Sequence, residues 1–178
     1  FDAGPGYDAY AASDAQLEEN SKTKPKEWLD FDKSDGKVYL KNEWEPRAVR
    51  SWSAISGGFQ VIDPVTGKVT KTYAPLANGK YLVTGEEKPF GADFPGMEVV
   101  EDDEKISFKY RLEPTFGAPV KGLAMHPEGG PYGTKGCIGI QEDNRGFRGI
   151  MTDRLGKFSL GYKVDTDRDP TMEVNVRD

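Results

Sequence analysis

A mainly β fold with many turns is predicted by three observations: 21 glycines and 12 prolines in 178 residues, apolar and polar residues alternating with period 2 in several short segments, and no sustained apolar period of 3.6. The length suits one domain with a hydrophobic core of its own. Residues 1–26, "FDAGPGYDAYAASDAQLEENSKTKPK", carry neither period and read as a poorly ordered leader or linker, with a short helix over Ala12 to Glu19. The absence of an initial Met suggests a processed protein or an excised fragment.

From residue 27 the pattern changes. "EWLDFDKSDGKVYLKN" alternates around an "SDG" turn, and "AVRSWSAIS" repeats the alternation, which together predict a β-meander. Trp28, Leu29 and Phe31 begin its first strand, Val38 and Leu40 face inward on the second, and Val49, Trp52 and Ala54 anchor the third. Further strands are expected at "GKYLVTG" and "KISFKYRLEP", with a long loop or flap, "EEKPFGADFPGMEVVEDDE", between them. The acidic "VVEDDEKIS" within it reads as a solvated surface segment. A short helix is expected near Phe147 to Leu155, weakened by Gly146, Gly149 and Gly156, and "FSLGYKVDTD" and "MEVNVRD" close the chain as strands.

Composition narrows the function. A formal charge of -6 and a pI near 5.0 leave no basic surface for nucleic acid, and no apolar run approaches the roughly 20 residues of a membrane span. A single cysteine cannot form an internal disulfide, so Cys137 is a free thiol.

That thiol and the only histidine lie eleven positions apart in "MHPEGGPYGTKGCIGI", residues 125–140. Cysteine catalysis needs a base for the thiol proton and donors for the oxyanion formed at the attacked carbonyl. His126 is the one imidazole available as base. Gly136 permits a tight turn that would aim the Gly136 and Cys137 amides at one point. His126 is expected at a sheet edge, on a strand ended by Pro127, and Gly129, Gly130, Pro131 and Gly133 can bring residues 126 and 137 back together. Thr134 would hydrogen-bond near the thiol or cap the turn. The competing reading is a small hydrophobe buried in a core, since free cysteine is among the most buried residue types.

The spacing His-x10-Cys with "TKGCIGI" resembles the signature of the L,D-transpeptidase family, in which a His precedes a Ser/Thr-x-Gly-Cys motif. Thr134, Gly136 and Cys137 fall on that motif, and "SWSAISGGF" and "APLANGKYLVTG" are similar to flanking segments of the family. The resemblance implies a β-sandwich or barrel with one or two short helices and long loops, residues 27–178 forming a single catalytic domain. Within the family, "FDKSDGKVYL" and "SAISGG" look like the toxins that bacteria deliver into one another through secretion systems. That implies a secreted antibacterial effector acting in the periplasm or cell wall of a target bacterium, peptidoglycan stem peptides as substrate, and a cognate immunity protein as partner.

The chain departs from the family pattern at Lys135, where a His often stands, at Gly139, where an Arg commonly follows the Cys, and in its shorter His-to-Cys spacing. Arg145, Arg148 and Lys135 are the candidates to replace that Arg, and Tyr132 is a candidate substrate-facing aromatic. The activity implied is attack by Cys137 on an L,D-peptide bond, as an L,D-carboxypeptidase or transpeptidase without cofactor or metal, with a thiol that alkylates fast near neutral pH. A zinc site would need Glu128 and Glu142 to complete it, and a papain-like site would have the Cys before the His. The alternative is a non-catalytic β domain of a phage or secretion particle that binds cell wall, with Cys137 buried.

Overall fold

The computed structural model describes residues 25–87, 98–117, 122–128, 133–156 and 170–178. Eight strands close into a barrel in the order β1-β12-β6-β9-β10-β11-β3-β2. They are β1 (Glu27–Asp32), β2 (Lys37–Asn42), β3 (Glu45–Ser56), β6 (Gly79–Glu87), β9 (Lys109–Pro114), β10 (Leu123–Pro127), β11 (Ile138–Ile140) and β12 (Thr171–Arg177). Two hairpins stand outside the barrel: β4 (Gln60–Ile62) with β5 (Val69–Thr72), and β7 (Glu98–Glu101) with β8 (Glu104–Ser107). One helix, α1 (Asn144–Leu155), is present among the described residues. The fold is mainly β, as the alternation predicts. None of the described helical residues forms a span long and apolar enough to cross a membrane.

Alternation decides which side chains fill the barrel, because successive residues of a strand face opposite sides. Leu29 and Phe31 of β1, Val38 and Leu40 of β2, Trp52 and Ala54 of β3, Tyr81 and Val83 of β6, Tyr110 and Leu112 of β9, and Val174 and Val176 of β12 are all buried in one cluster. Val49 departs from the expectation: it is 50% exposed, because the first half of β3 extends past the packed interior and only its second half lines it. Two barrel pairs are parallel, β1 with β12 and β10 with β11; the other ladders are antiparallel.

Helix α1 docks its buried face, Phe147, Met151 and Leu155, on this interior. Phe147 meets Trp52 edge-on at 5.0 Å and stacks on Phe108 at 5.6 Å, and the Tyr110 hydroxyl reaches the Arg148 carbonyl at 3.2 Å. Trp52 is thus a core residue. The acidic stretch expected to be only a solvated surface has a structural task. Glu101 accepts from the backbone amides of Asn144 (2.8 Å) and Arg145 (3.0 Å), satisfying donors that a helix start leaves open, and Asp143 accepts from Gly146 as N-cap. The long loop expected over residues 86–104 is in its second half the β7/β8 hairpin, turned at Asp102 and Asp103 with φ of 50° and 62°. The expected strand "KISFKYRLEP" is two strands, interrupted at Phe108. The helix at Ala12 to Glu19, the rest of the flap and the strand "FSLGYKVDTD" lie outside the described residues.

Candidate active site

The site is assembled where the two parallel strands β10 and β11 meet. Their register places Met125 beside Ile138 and His126 beside Gly139; one step back along that ladder, Ala124 lies beside Cys137. Met125, Ile138 and Ile140 face the core, so by alternation Ala124, His126, Cys137 and Gly139 share the outer face. His126 and Cys137 are diagonal neighbours across one strand pair. The expected sheet-edge position of His126 is corrected: β10 is an interior strand, flanked by β9 and β11, and His126 is only 6% exposed.

The turn that delivers Cys137 is held by Thr134. Its hydroxyl, in a side chain 4% exposed, donates to the Cys137 carbonyl at 2.6 Å and accepts from the amides of Gly57 at 2.8 Å and Gly136 at 3.2 Å. The Thr134 amide donates to the Gly57 carbonyl at 2.9 Å, fastening the turn to the segment after β3. Ser56 adds a second tie, donating to the Gly136 carbonyl at 3.1 Å while accepting from the Leu76 amide at 3.0 Å. Gly136 has φ 115°, and Gly133 has φ 73° with room for no Cβ: one would stand 2.6 Å from the Gly57 carbonyl oxygen. Both positions demand glycine. The Gly136 amide, expected to aim outward beside that of Cys137, instead points back to Thr134. Thr134 acts as the clamp of the turn.

The electrostatics describe a neutral resting pair. His126 Nδ1 lies 2.7 Å from the Pro127 carbonyl oxygen. A carbonyl can only accept, so Nδ1 carries the proton and Nε2 keeps its lone pair. Burial pulls the imidazole below its ordinary pKa against the opposing effect of the Pro127 bond, and the Lys109 charge pulls it down further. Burial pushes the half-buried Cys137 thiol up, outweighing the Ala124 backbone bond and the Lys109 charge, both of which favour the thiolate. No hydrogen bond joins His126 to Cys137 among the described residues.

Gly139 has a steric explanation. A Cβ there would lie 2.9 Å from the Glu128 Cβ, 3.0 Å from its Oε2 and 3.2 Å from Thr134 Cγ2, so Glu128 and Thr134 occupy the space that an arginine would enter. Gly139→Ala is expected to cost about 1–3 kcal/mol by overpacking, and Gly139→Arg more. Thermal unfolding of the two variants measures this, and midpoints equal to that of the parent would contradict it.

Two of the three candidate replacements for the arginine, Lys135 and Arg145, have partners of their own. Lys135 is exposed and sets its ammonium over the rings of Phe59 (5.2 Å) and Tyr73 (5.6 Å). Arg145 pairs with Glu104 at 2.5 Å on the β7/β8 hairpin. Arg148 belongs to α1, whose backbone is tied to Tyr110 on the inner side of the sheet. Tyr132 lies outside the described residues. Glu142 accepts from the Ser53 amide at 3.0 Å and hydroxyl at 3.1 Å, and no group of three His, Cys, Asp or Glu suited to a metal occurs among the described residues. What sequence reasoning missed is Lys109. It precedes Tyr110, the β9 partner of Met125 on β10, and its charge acts on both His126 and Cys137. Its place was legible only as alternation with Tyr110; that β9 borders β10 is a tertiary fact.

No family model matches the chain, and no curated protein matches it. Solved structures similar to it include L,D-transpeptidase 1 of Mycobacterium tuberculosis, at 12% identity and TM-score 0.44, over 86% of this chain and 62% of that one. Another is the L,D-transpeptidase (residues 123–326) of Xylanimonas cellulosilytica DSM 15894, at 14% identity and TM-score 0.43, over 98% of this chain and 75% of that one. The chain spans less than two thirds of the mycobacterial structure.

Proposed function

We propose that this protein is a cysteine enzyme acting on peptidoglycan stem peptides, cleaving or exchanging at L,D-peptide bonds. The observation that carries the reading is the pairing of Cys137 with His126 on one face of adjoining strands, the imidazole held by Pro127 so that Nε2 keeps its lone pair. The likeness of Thr134, Gly136 and Cys137 to the family motif supports the substrate class.

In this reading Nε2 takes the thiol proton as sulfur attacks the carbonyl and forms the C–S bond. The Cys137 amide faces the oxyanion, the Gly136 amide being engaged with Thr134. The imidazolium then returns the proton to the departing amine as the C–N bond breaks, leaving a thioester. Water resolves it in a carboxypeptidase; another amine resolves it in a transpeptidase or an exchange reaction. Because the resting pair is neutral, proton transfer accompanies attack rather than preceding it. We further propose that the enzyme is a secreted effector, acting in the periplasm or wall of a target bacterium and restrained in its producer by an immunity protein that occludes this face.

Incubation with purified tetrapeptide muropeptides tests the reaction. The expected result is loss of the terminal residue or its exchange for an added D-amino acid, abolished by Cys137→Ala. Product profiles identical for the two proteins would sink it. Such an outcome would favour the second reading, a non-catalytic wall-binding domain, for which the observation is that Cys137 packs against the core cluster with its thiol held protonated by burial.

A further inference from the structure

We propose that the β4/β5 hairpin and Lys135 form a binding arm for an extended peptide that carries side carboxylates and leads to Cys137; that this peptide is the substrate rests on the reading above. Pairing sets one face of the hairpin. Val61 lies opposite Lys71, and Lys71 holds its ammonium 4.2 Å from the centre of the Tyr73 ring. Tyr73 meets Phe59 edge-on at 5.9 Å, and its amide donates to the Phe59 carbonyl at 2.8 Å. Lys135 comes to the same face from the turn that delivers Cys137, its ammonium 5.2 Å from the Phe59 ring and 5.6 Å from the Tyr73 ring. Val61 is 39% exposed, the two rings are half-buried and both lysines are exposed, so apolar, aromatic and cationic groups share one open surface.

Charge gives this surface its ligand. Lys71 and Lys135 share one ring, Tyr73, and neither makes an ion pair with a described residue, although the chain as a whole has a net charge of -6. Two like charges held at one ring without a counter-charge repel each other, and a carboxylate between them relieves the repulsion. A ring face engages an ammonium from one side only, and an ammonium has three N–H donors, so both lysines keep donors for carboxylate oxygens. The one acidic residue between Gly58 and Leu76 is Asp63, whose carboxylate is engaged within the hairpin turn by the amides of Val65 at 2.8 Å and Thr66 at 3.3 Å. Position directs the ligand to the thiol. The Thr134 hydroxyl joins the Gly57 amide to the Cys137 carbonyl, and the Phe59 amide donates to the Thr134 carbonyl at 3.3 Å. The root of the hairpin is therefore one side chain away from the backbone of Cys137. A small inorganic anion would use the lysines alone, whereas an extended peptide also covers Val61 and the rings.

Binding to the full chain carrying Cys137→Ala, in which nothing turns over, tests this by NMR titration. The probes are the purified tetrapeptide stem with its side carboxylates free and the same stem with them amidated. Adding Lys71→Gln or Lys135→Gln is expected to weaken binding of the free stem about three-fold, and adding both about ten-fold, the order of effect of exposed charge pairs. The amidated stem should bind all these proteins alike, and arginine at both positions should keep the affinity for the free stem. Added salt should weaken the free stem when the lysines are present and not when both are glutamine. Equal affinity of the free stem with and without the two lysines, at unchanged circular dichroism, would overturn the proposal. So would equal affinity of the two stems for the protein that keeps both lysines, or inorganic phosphate binding as tightly as the free stem. Lysine-dependent binding of the free stem by a protein that leaves muropeptides unchanged would overturn the reaction and leave the arm standing. Turnover abolished by Cys137→Ala but indifferent to both lysines would overturn the arm and leave the reaction.

Discussion

Replacing His126 by asparagine is expected to slow turnover of tetrapeptide stems by about 10²- to 10⁴-fold, the usual contribution of a positioned general base. The fold should persist. Asparagine can donate its amide to the Pro127 carbonyl as Nδ1 does now, but it has no nitrogen that accepts a proton. The parent should show a broad pH optimum. On the acid side, activity falls as pH drops through the depressed imidazole pKa and protonation removes the acceptor. On the alkaline side it falls as pH rises through the raised thiol pKa, because ionisation removes the proton that the leaving amine needs. The residual activity of His126→Asn should lack the acid limb. Rates within about three-fold of the parent, with the acid limb intact, would show that His126 is not the base.

Thr134→Val should cost more stability than any other conservative change in the turn. The two side chains have nearly the same shape, so the substitution isolates the hydroxyl, which serves three backbone groups in a buried position. Valine would leave the amides of Gly57 and Gly136 and the carbonyl of Cys137 without it. At about 1–3 kcal/mol for each buried group left unsatisfied, and allowing for partial relaxation, the loss should be about 2–4 kcal/mol. For a domain of this size that is a drop in Tm of roughly 4–16 °C. Thr134→Ser keeps the hydroxyl and should lose much less. Chemical denaturation of the three proteins measures the difference; a valine variant as stable as the parent would mean that the clamp holds nothing.

Much of the barrel was legible in the sequence, and its failures have physical causes. Strands β1 and β2 and the inner half of β3 announce themselves because every second residue is buried. Alternation tells which way Val49 faces, but not that its part of the strand runs beyond the packed interior. The β7/β8 turn escaped notice because Asp102 and Asp103 adopt positive φ without the glycine that usually signals it. Helix α1 was partly hidden by Gly146, beside which the carboxylate of the N-cap Asp143 folds back to accept from its amide. In the site, the proximity of His126 and Cys137 was readable from the short glycine-rich connection. The direction of the Gly136 amide was not, because it depends on where a buried threonine hydroxyl lies. Nor was Lys109, because no local pattern reveals which strand borders β10.

The parallel pairing of β1 with β12 has a consequence for how the chain reaches its native state. Glu173 sits beside Trp28 and Val176 beside Phe31, while the other side of β12 is zipped to β6 from Thr84 to Gly79. Until residues 171–177 have left the ribosome, β1 and β6 each present a bare edge to other chains. Closure must then bring together partners about 145 residues apart in sequence, contacts of the kind that slow folding. The barrel closes only when β12 bridges β1 and β6, and the face carrying Cys137 and His126 gains its rigid support with that closure.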